Sequence, residues 1–191
     1  MNLLYQIYMV IPKLPTFVSV SKSEGMVNMA FLIGAYCFME FIAWSNHKFV
    51  MHGFLWDWHK DHHINDQKKV AMHEMTFSGM EKNDLFFLVY ATPAIILLIL
   101  GLYFDYPKLV FTGVGITLYG FTYFWIHDIL IHQRIKLPFL SNIQNSYTRA
   151  IINAHHAHHR PRSRNDFTNY GLLVFPLRFF KSSELPDPKE S

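Results

Sequence analysis

Three long apolar runs constrain the fold of this 191-residue chain more than any other feature. They cover residues 26–44, 85–104 and 109–131, and as helices they match a hydrocarbon core about 30 Å thick. Charged residues make up 16% of the chain, against roughly 25% in an average soluble domain. This leaves too little polar surface for a soluble globule, so the sequence predicts an all-α integral membrane protein.

The two ends of the chain extend this interpretation. Residues 1–20 are apolar but interrupted by prolines, and an interfacial helix is preferred there over a fourth span, giving three to four transmembrane helices. They have no basic start and no small-residue cleavage site, so no cleaved signal peptide is expected. Residues 171–180 have the pattern of an amphipathic interfacial segment. We expect one membrane-embedded domain over 1–181 and a polar tail over 182–191.

Two details concern how the helices pack and lie in the membrane. Gly113, Gly115 and Gly120 in the third run predict close helix–helix approach. The polar segments 45–84 and 132–181 contain five and eight lysines and arginines, whereas the turn between the second and third runs contains only Lys108. By the positive-inside rule, both segments lie on the cytoplasmic face of the cell (inner) membrane.

Charge and cysteine content remove several classes of function. The net charge of +3 is too small, and its distribution too scattered, to favour a nucleic-acid partner. The single cysteine, Cys37, excludes an internal disulfide framework and a cysteine-rich metal site.

Histidine is the unusual residue, with 12 copies between positions 47 and 159. Ten of them form a pattern that occurs twice: a pair spaced H-x-x-x-x-H, then a triplet spaced H-x-x-H-H. On a helix, residues i, i+3 and i+4 share a face, so each triplet is predicted to present three imidazoles to a common point. The pairs are predicted to converge if a π-bulge or a frayed turn brings residue i+5 onto the same face. The predicted metal ligands are His47, His52, His59, His62, His63, His127, His132, His155, His158 and His159.

Ten imidazoles are too many for one ion, so two ions with about five ligands each are expected. Neutral imidazole suits iron, zinc, copper and nickel, and the spacing does not choose among them. Asp128, Asp61 and Glu40 are candidates to support the ligands from behind. His73 and His156 fall outside the repeated pattern and are interpreted as ordinary neighbours.

Residues around these histidines resemble the fatty acid hydroxylase and sterol desaturase superfamily of membrane di-iron enzymes, and within it the bacterial-type carotenoid 3-hydroxylases (beta-carotene hydroxylases). The motifs that carry the resemblance are H-K-F-V-M-H-G at 47–53, W-D-W-H-K-D-H-H at 56–63, N-D-L at 83–85, H-D-I-L-I-H-Q-R at 127–134, and the last triplet. The segments 64–82 and 160–170 depart from the family pattern.

The resemblance implies a monooxygenase that uses O2, two iron ions and electrons from ferredoxin and ferredoxin reductase. It implies that the substrate is a carotenoid hydroxylated at C3 of its beta-ionone ring, from beta-carotene to beta-cryptoxanthin to zeaxanthin. Zinc is expected as a substitute metal in isolated protein. The apolar substrate predicts a pocket opening to the bilayer, for which the candidate lining residues are Phe41, Trp44, Phe121, Tyr123, Phe124 and Trp125.

Two other functions compete with this one. The first is another lipid oxidation within the superfamily: sterol or fatty-acid hydroxylation, desaturation, or carotenoid ketolation. The second is a non-redox metal-binding membrane protein or metal transporter. A transporter is disfavoured because its ligands should lie within the spans near the membrane midplane.

Overall fold

A computed structural model describes residues 21–72, 81–135, 137, 145–161 and 167–181 of the chain. The elements are α1 (Lys22–Asn46), a π-helical segment (His47–Phe54), α2 (Trp56–Met72), a 3₁₀ turn (Lys82–Leu85), α3 (Phe86–Tyr103), α4 (Pro107–Tyr123), a second π-helical segment (Phe124–Ile131), α5 (Ser146–His159), and a 3₁₀ turn (Leu177–Phe180). The described residues contain no β-strand, which confirms the predicted all-α class.

Three continuous helical stretches are long and apolar enough to cross a membrane: Lys22–Phe54, Lys82–Tyr103 and Pro107–Ile131. They overlap the three predicted spans but have different ends; the second stretch ends at Tyr103, one residue before the predicted end at 104. The turn predicted at 105–108 is shorter, because Pro107 starts α4, where its missing N–H costs no hydrogen bond. Residues 1–20 lie outside the described part of the chain, as do the tail from 182 and His73.

The described part of the chain divides into two compact units, and the bounds below refer to its described residues. The first comprises the residues up to Phe38 together with Leu88–Gly120. Inside it, α4 approaches α1 so closely that a Cβ on Gly115 would lie 2.4 Å from the carbonyl oxygen of Leu32. A Cβ on Gly113 would lie 2.9 Å from Leu98. The close approach predicted from small residues is therefore confirmed at both glycines.

Gly120 behaves differently from the other two glycines of α4. A Cβ added there would meet nothing within 4 Å in the described part of the chain. The expectation that Gly120 also serves a close helix contact was therefore wrong.

The second unit comprises Met39–Phe87 and the residues from Phe121 onward, and it contains all ten of the predicted ligands. Within it, α2 packs against the first π-helical segment, the first 3₁₀ turn and α5. The start of α5 is capped by Asn145, whose side-chain oxygen accepts the backbone N–H of Thr148 at 2.8 Å. The buried face of α5 carries three histidines, so imidazoles form a large part of the core of this unit beside its apolar side chains.

Candidate metal centre

The histidines of the second unit gather into two groups. Within each group, one ring nitrogen of every member lies within 4.8 Å of those of the others. The five-histidine group consists of His47, His52, His59, His63 and His158, and the four-histidine group of His62, His127, His132 and His155. The tenth predicted ligand, His159, is 1% exposed, and its ring centroid lies 4.2 Å from that of His63 and 4.5 Å from that of His155. It therefore contacts members of both groups.

π-helical geometry brings the two i, i+5 pairs together. The backbone N–H of His132 donates to the carbonyl of His127 at 2.9 Å, and that of Leu55 donates to Val50 at 3.0 Å. Hydrogen bonds between residues five apart define a π-helix and place such residues on one face. The predicted π-helical turn is confirmed at both pairs.

The triplets are arranged differently from the prediction of one common point. His59 and His63 belong to the five-histidine group, whereas His62, between them in sequence, belongs to the four-histidine group. In α5, His158 and His155 are divided in the same way. Adjacent helical residues point about 100° apart, so the last two histidines of H-x-x-H-H diverge. Each triplet thus contributes to both groups.

Hydrogen bonds fix the tautomers of two members of the five-histidine group. Nδ1 of His47 donates to the carbonyl oxygen of Tyr170 at 3.0 Å, and Nδ1 of His59 donates to the side-chain oxygen of Asn83 at 2.7 Å. Both acceptors are oxygens, so each Nδ1 carries the hydrogen and each Nε2 has only its lone pair. These two Nε2 atoms lie 3.1 Å apart without a proton to share. A bound cation relieves this repulsion, so the arrangement fits a metal ion.

Three other pairs of histidines in the two groups have similarly short distances between their Nε2 atoms. Nε2 of His59 is 3.0 Å from that of His63, Nε2 of His52 is 3.0 Å from that of His158, and Nε2 of His132 is 3.0 Å from that of His155. With metal–nitrogen bonds of about 2.1 Å, a separation of about 3.0 Å corresponds to an angle near 90°, whereas a tetrahedral angle gives about 3.4 Å. These distances suit ions with more than four ligands.

Burial keeps the imidazoles neutral. The pKa of His59 is lowered to about 3, chiefly by loss of hydration and also by neighbouring histidines, while the bond to Asn83 opposes the change. Burial, reinforced by nearby histidines, also holds the pKa values of His62, His155 and His158 well below the usual range. At neutral pH these side chains are therefore uncharged, the form in which imidazole binds a metal.

Carboxylates support the four-histidine group. Nδ1 of His62 donates to Oε2 of Glu81 at 3.1 Å, and both side chains are nearly inaccessible to solvent. Nε2 of His62 is buried without a hydrogen-bond partner among the described residues, so it is the nitrogen available to a metal. A carboxylate behind a ligating histidine fixes its tautomer and raises its basicity.

Arg134 connects three carboxylates near the four-histidine group. Its guanidinium contacts Glu81 at 3.0 Å, Asp84 at 2.7 Å and Asp128 at 3.3 Å. Burial alone would lower the pKa of Arg134, but the three carboxylates outweigh it and raise the pKa. Gln133, in a left-handed conformation with φ 47°, precedes Arg134. Arg134 therefore holds the Glu81–Asp84 turn beside the second π-helical segment.

The three predicted supporting acids have different surroundings. Asp128 lies 3.5 Å from Nδ1 of His127, beside the four-histidine group as proposed. Asp61 is half-buried and, within the described ranges, belongs to neither histidine group. Glu40 accepts the backbone N–H groups of Leu172, Leu173 and Val174, so its bonds go to the chain after α5. His156 is half-buried and belongs to neither group.

Sequence reasoning missed several residues that support the site. Glu81 lies outside every histidine motif, and its only local signal is the reciprocal cap it forms with Asp84. Asn83 and Arg134 belong to the family motifs, but the sequence assigns neither of them a role. The carbonyls of Thr168 and Tyr170 carry no side-chain signal at all.

The aromatic residues that contact the histidines are mostly not those predicted to line a pocket. Trp56, Phe167 and Tyr170 pack against His52, with centroid distances of 5.2, 4.4 and 5.2 Å. Tyr123, which was predicted, stacks on His127 at 4.8 Å. Trp44 is half-buried, and the other candidates are between 45% and 67% exposed: Phe41, Phe121, Phe124 and Trp125. Their role in a substrate pocket stays a prediction.

Comparisons with known proteins agree with this site. The sequence model of the family described as fatty acid hydroxylase matches residues 32–181. A protein named beta-carotene hydroxylase from Paracoccus sp. (strain PC1) is 36% identical over 152 residues, which cover 79% of this chain and 86% of the relative.

Two further relatives carry similar names. The beta-carotene hydroxylase of Pantoea ananas is 37% identical over 138 residues, covering 72% of this chain and 71% of the relative. A chloroplastic beta-carotene 3-hydroxylase of Arabidopsis thaliana is 33% identical over 160 residues, covering 82% of this chain and 48% of the relative. No solved structure matches the chain. The extent of these matches shows that the chain belongs to the fatty acid hydroxylase family.

Proposed function

We propose that this protein is a membrane monooxygenase that hydroxylates C3 of the beta-ionone ring of carotenoids, converting beta-carotene to beta-cryptoxanthin and then to zeaxanthin. The observation that carries the proposal is the presence of two groups of imidazoles whose Nε2 atoms lie 3.0–3.1 Å apart in four pairs, with two lone pairs facing each other between His47 and His59. The choice of carotenoid is supported by the names of the bacterial and plant relatives.

The proposed cofactor is a pair of iron ions, one for each histidine group. When bound, iron would supply the redox chemistry for activating O2 and breaking an unactivated C–H bond, which acid–base side chains cannot do alone. The chain itself supplies neutral nitrogen donors, fixes their tautomers, and keeps the rings in a buried core. All ten histidines are proposed as ligands, with His159 contacting both groups.

The reaction requires an external source of electrons. Insertion of one oxygen atom into a C–H bond and reduction of the other to water consumes O2, two electrons and two protons. We propose a ferredoxin-type donor acting with its reductase. The excess of lysine and arginine in the histidine-bearing segments, compared with the single Lys108 in the opposite turn, supports a site on the cytoplasmic face.

Expression of the full chain in a bacterium that accumulates beta-carotene tests the proposal. Chromatography of the extracted pigments should reveal beta-cryptoxanthin and zeaxanthin. The variant His59→Ala should leave beta-carotene unchanged, because it removes a proposed metal ligand whose Nε2 faces those of both His47 and His63. A matched control is Asp57→Asn, an exposed residue of α2 paired with Lys60, which should retain the product.

Other products would identify the competing functions. A keto-carotenoid would indicate ketolation, and unchanged pigment beside an oxidised fatty acid or sterol would indicate another lipid substrate. Unchanged pigment and lipids, from a chain that binds metal, would favour a non-redox metal-binding protein. Each of these results would contradict the proposed reaction.

A further inference from the structure

A short segment after α5, residues 167–174, lies against the five-histidine group, and we name it the strap. The carbonyl oxygen of Thr168 accepts a hydrogen bond from Nδ1 of His158 at 2.8 Å, and that of Tyr170 accepts one from Nδ1 of His47 at 3.0 Å. Asn169 between them has φ 65°, a left-handed conformation that asparagine tolerates better than most residues. Two backbone carbonyls of the strap thus set the tautomers of two histidines.

Glu40 fixes the far end of the strap. Its Oε1 accepts backbone hydrogen bonds from Leu172 and Leu173 at 2.9 Å and from Val174 at 3.0 Å. Three successive N–H groups on one carboxylate oxygen form a compact anion-binding turn with charge-assisted bonds.

Gly171 allows the carboxylate of Glu40 to lie close to the backbone of the strap. A Cβ there would lie 3.1 Å from Oε1 of Glu40 and 2.5 Å from the carbonyl oxygen of Val174. On the other side of the strap, the hydroxyl of Tyr147 donates to the carbonyl of Leu173 at 2.8 Å. The strap is therefore held by a side chain of α1 and a side chain of α5.

The position of Glu40 in the chain connects this turn to the histidines. Glu40 precedes His47 by seven residues, about two helical turns, so the two residues lie on nearly the same helix face. The carboxylate holds Leu172, and the neighbouring Tyr170 carbonyl holds His47. These hydrogen bonds connect Glu40 to His47 through the strap, and they account for an acidic side chain inside an otherwise uncharged apolar run.

We propose that Glu40 is a positioning residue for the five-histidine group, acting through the strap on His47 and His158. The inference rests on the proposed function in one respect, the binding of an ion by that group. The four-histidine group has different support, because His62 is held by Glu81. Loss of the Glu40 carboxylate should therefore affect one group more than the other.

The test is Mössbauer spectroscopy and iron analysis of the full chain loaded with ⁵⁷Fe in detergent. In Glu40→Leu, which has a similar volume but no acceptor, we expect one of two iron environments to weaken and iron content to fall towards half. Gly171→Ala disturbs the same contact from the strap and should change the same environment. Glu40→Gln retains an acceptor oxygen and should recover part of the iron content. Glu24→Gln, an exposed carboxylate of α1 bonded to Ser21, is the control and should match the parent.

The inference would be overturned if Glu40→Leu and Gly171→Ala kept both iron environments, or lost both equally while retaining their helical circular dichroism. Should Glu40→Leu fail to fold, Gly171→Ala and Glu40→Gln decide between the same outcomes. Pigment analysis tests the proposed reaction separately. If the variants change one iron selectively but the parent chain forms no hydroxylated carotenoid, the positioning role is supported and the reaction is contradicted.

Discussion

Nδ1 of His62 lies 3.1 Å from Oε2 of Glu81, and the two side chains form a buried pair behind the four-histidine group. Removing the charge while keeping the shape, as in Glu81→Gln, should lower the affinity of that group for metal about 10- to 100-fold, the usual effect of losing such a partner. Competition titration with a chelator of known affinity measures the change.

Glu81 has a matched control on the same unit. Asp57→Asn removes an exposed carboxylate whose partner is Lys60, 2.6 Å away, and should leave metal affinity unchanged. Equal affinities for Glu81→Gln and the parent chain would show that the carboxylate does not support the ligand.

The sequence predicts the structure correctly where the spacing of residues follows the geometry of a helix. The length of the apolar runs predicts the three spanning helices, and the spacing of His127 and His132 predicts a π-bulge or a frayed turn, of which the structure shows the π-helical form. The family resemblance is confirmed by the match over residues 32–181.

Other features of the site leave little trace in the sequence. The triplets are divided because adjacent residues such as His62 and His63 point in different directions. The group that each of them joins depends on the imidazoles of other segments, which the triplet itself does not specify. The bond of His158 to Thr168 uses a backbone carbonyl, which every residue has. Glu81 reaches His62 across 19 residues, so no local motif links them.

The helix contact of the first unit gives a prediction about stability. Gly115→Ala places a methyl group 2.4 Å from the carbonyl oxygen of Leu32, so α1 and α4 must separate. We expect a loss of about 1–3 kcal/mol, the usual cost of overpacking. Gly120→Ala is the control in the same helix, since its methyl group meets nothing within 4 Å in the described structure. Denaturation in mixed micelles measures both, and equal stabilities would contradict the close contact.

Acid should destabilise the metal-free protein. The pKa of His59 is about 3 in the folded chain, against about 6.5 when unfolded. Below pH 6.5 the unfolded chain therefore binds more protons, and folding stability should fall as the pH decreases towards 3, by up to about 1.4 kcal/mol per pH unit for one such group. Above pH 6.5 this contribution should be constant. Melting of the metal-free chain between pH 5 and 8 measures the slope.

A variant separates His59 from other titrating groups. His59→Gln removes one of the residues whose pKa is lowered by burial, so its melting temperature should depend less steeply on pH below 6.5. A slope identical to that of the parent chain would indicate that His59 is protonated in the folded state.

Metal removal should weaken the second unit. Its buried core places the Nε2 lone pairs of His47 and His59 3.1 Å apart, an arrangement that a cation stabilises. Saturating metal at about 100 times its dissociation constant should add about 2.7 kcal/mol to folding for each occupied site. Scanning calorimetry with and without a chelator measures the difference, and readdition of iron should restore the higher melting temperature. Identical transitions would contradict metal binding in this core.

X-ray absorption at the iron edge of the purified, iron-loaded chain, combined with iron analysis, tests the central claim most directly. The account predicts two irons per chain, each bound mainly by imidazole nitrogens at about 2.1 Å, with scattering from a second metal nearby. A single iron per chain, or iron bound without several imidazoles, would contradict it.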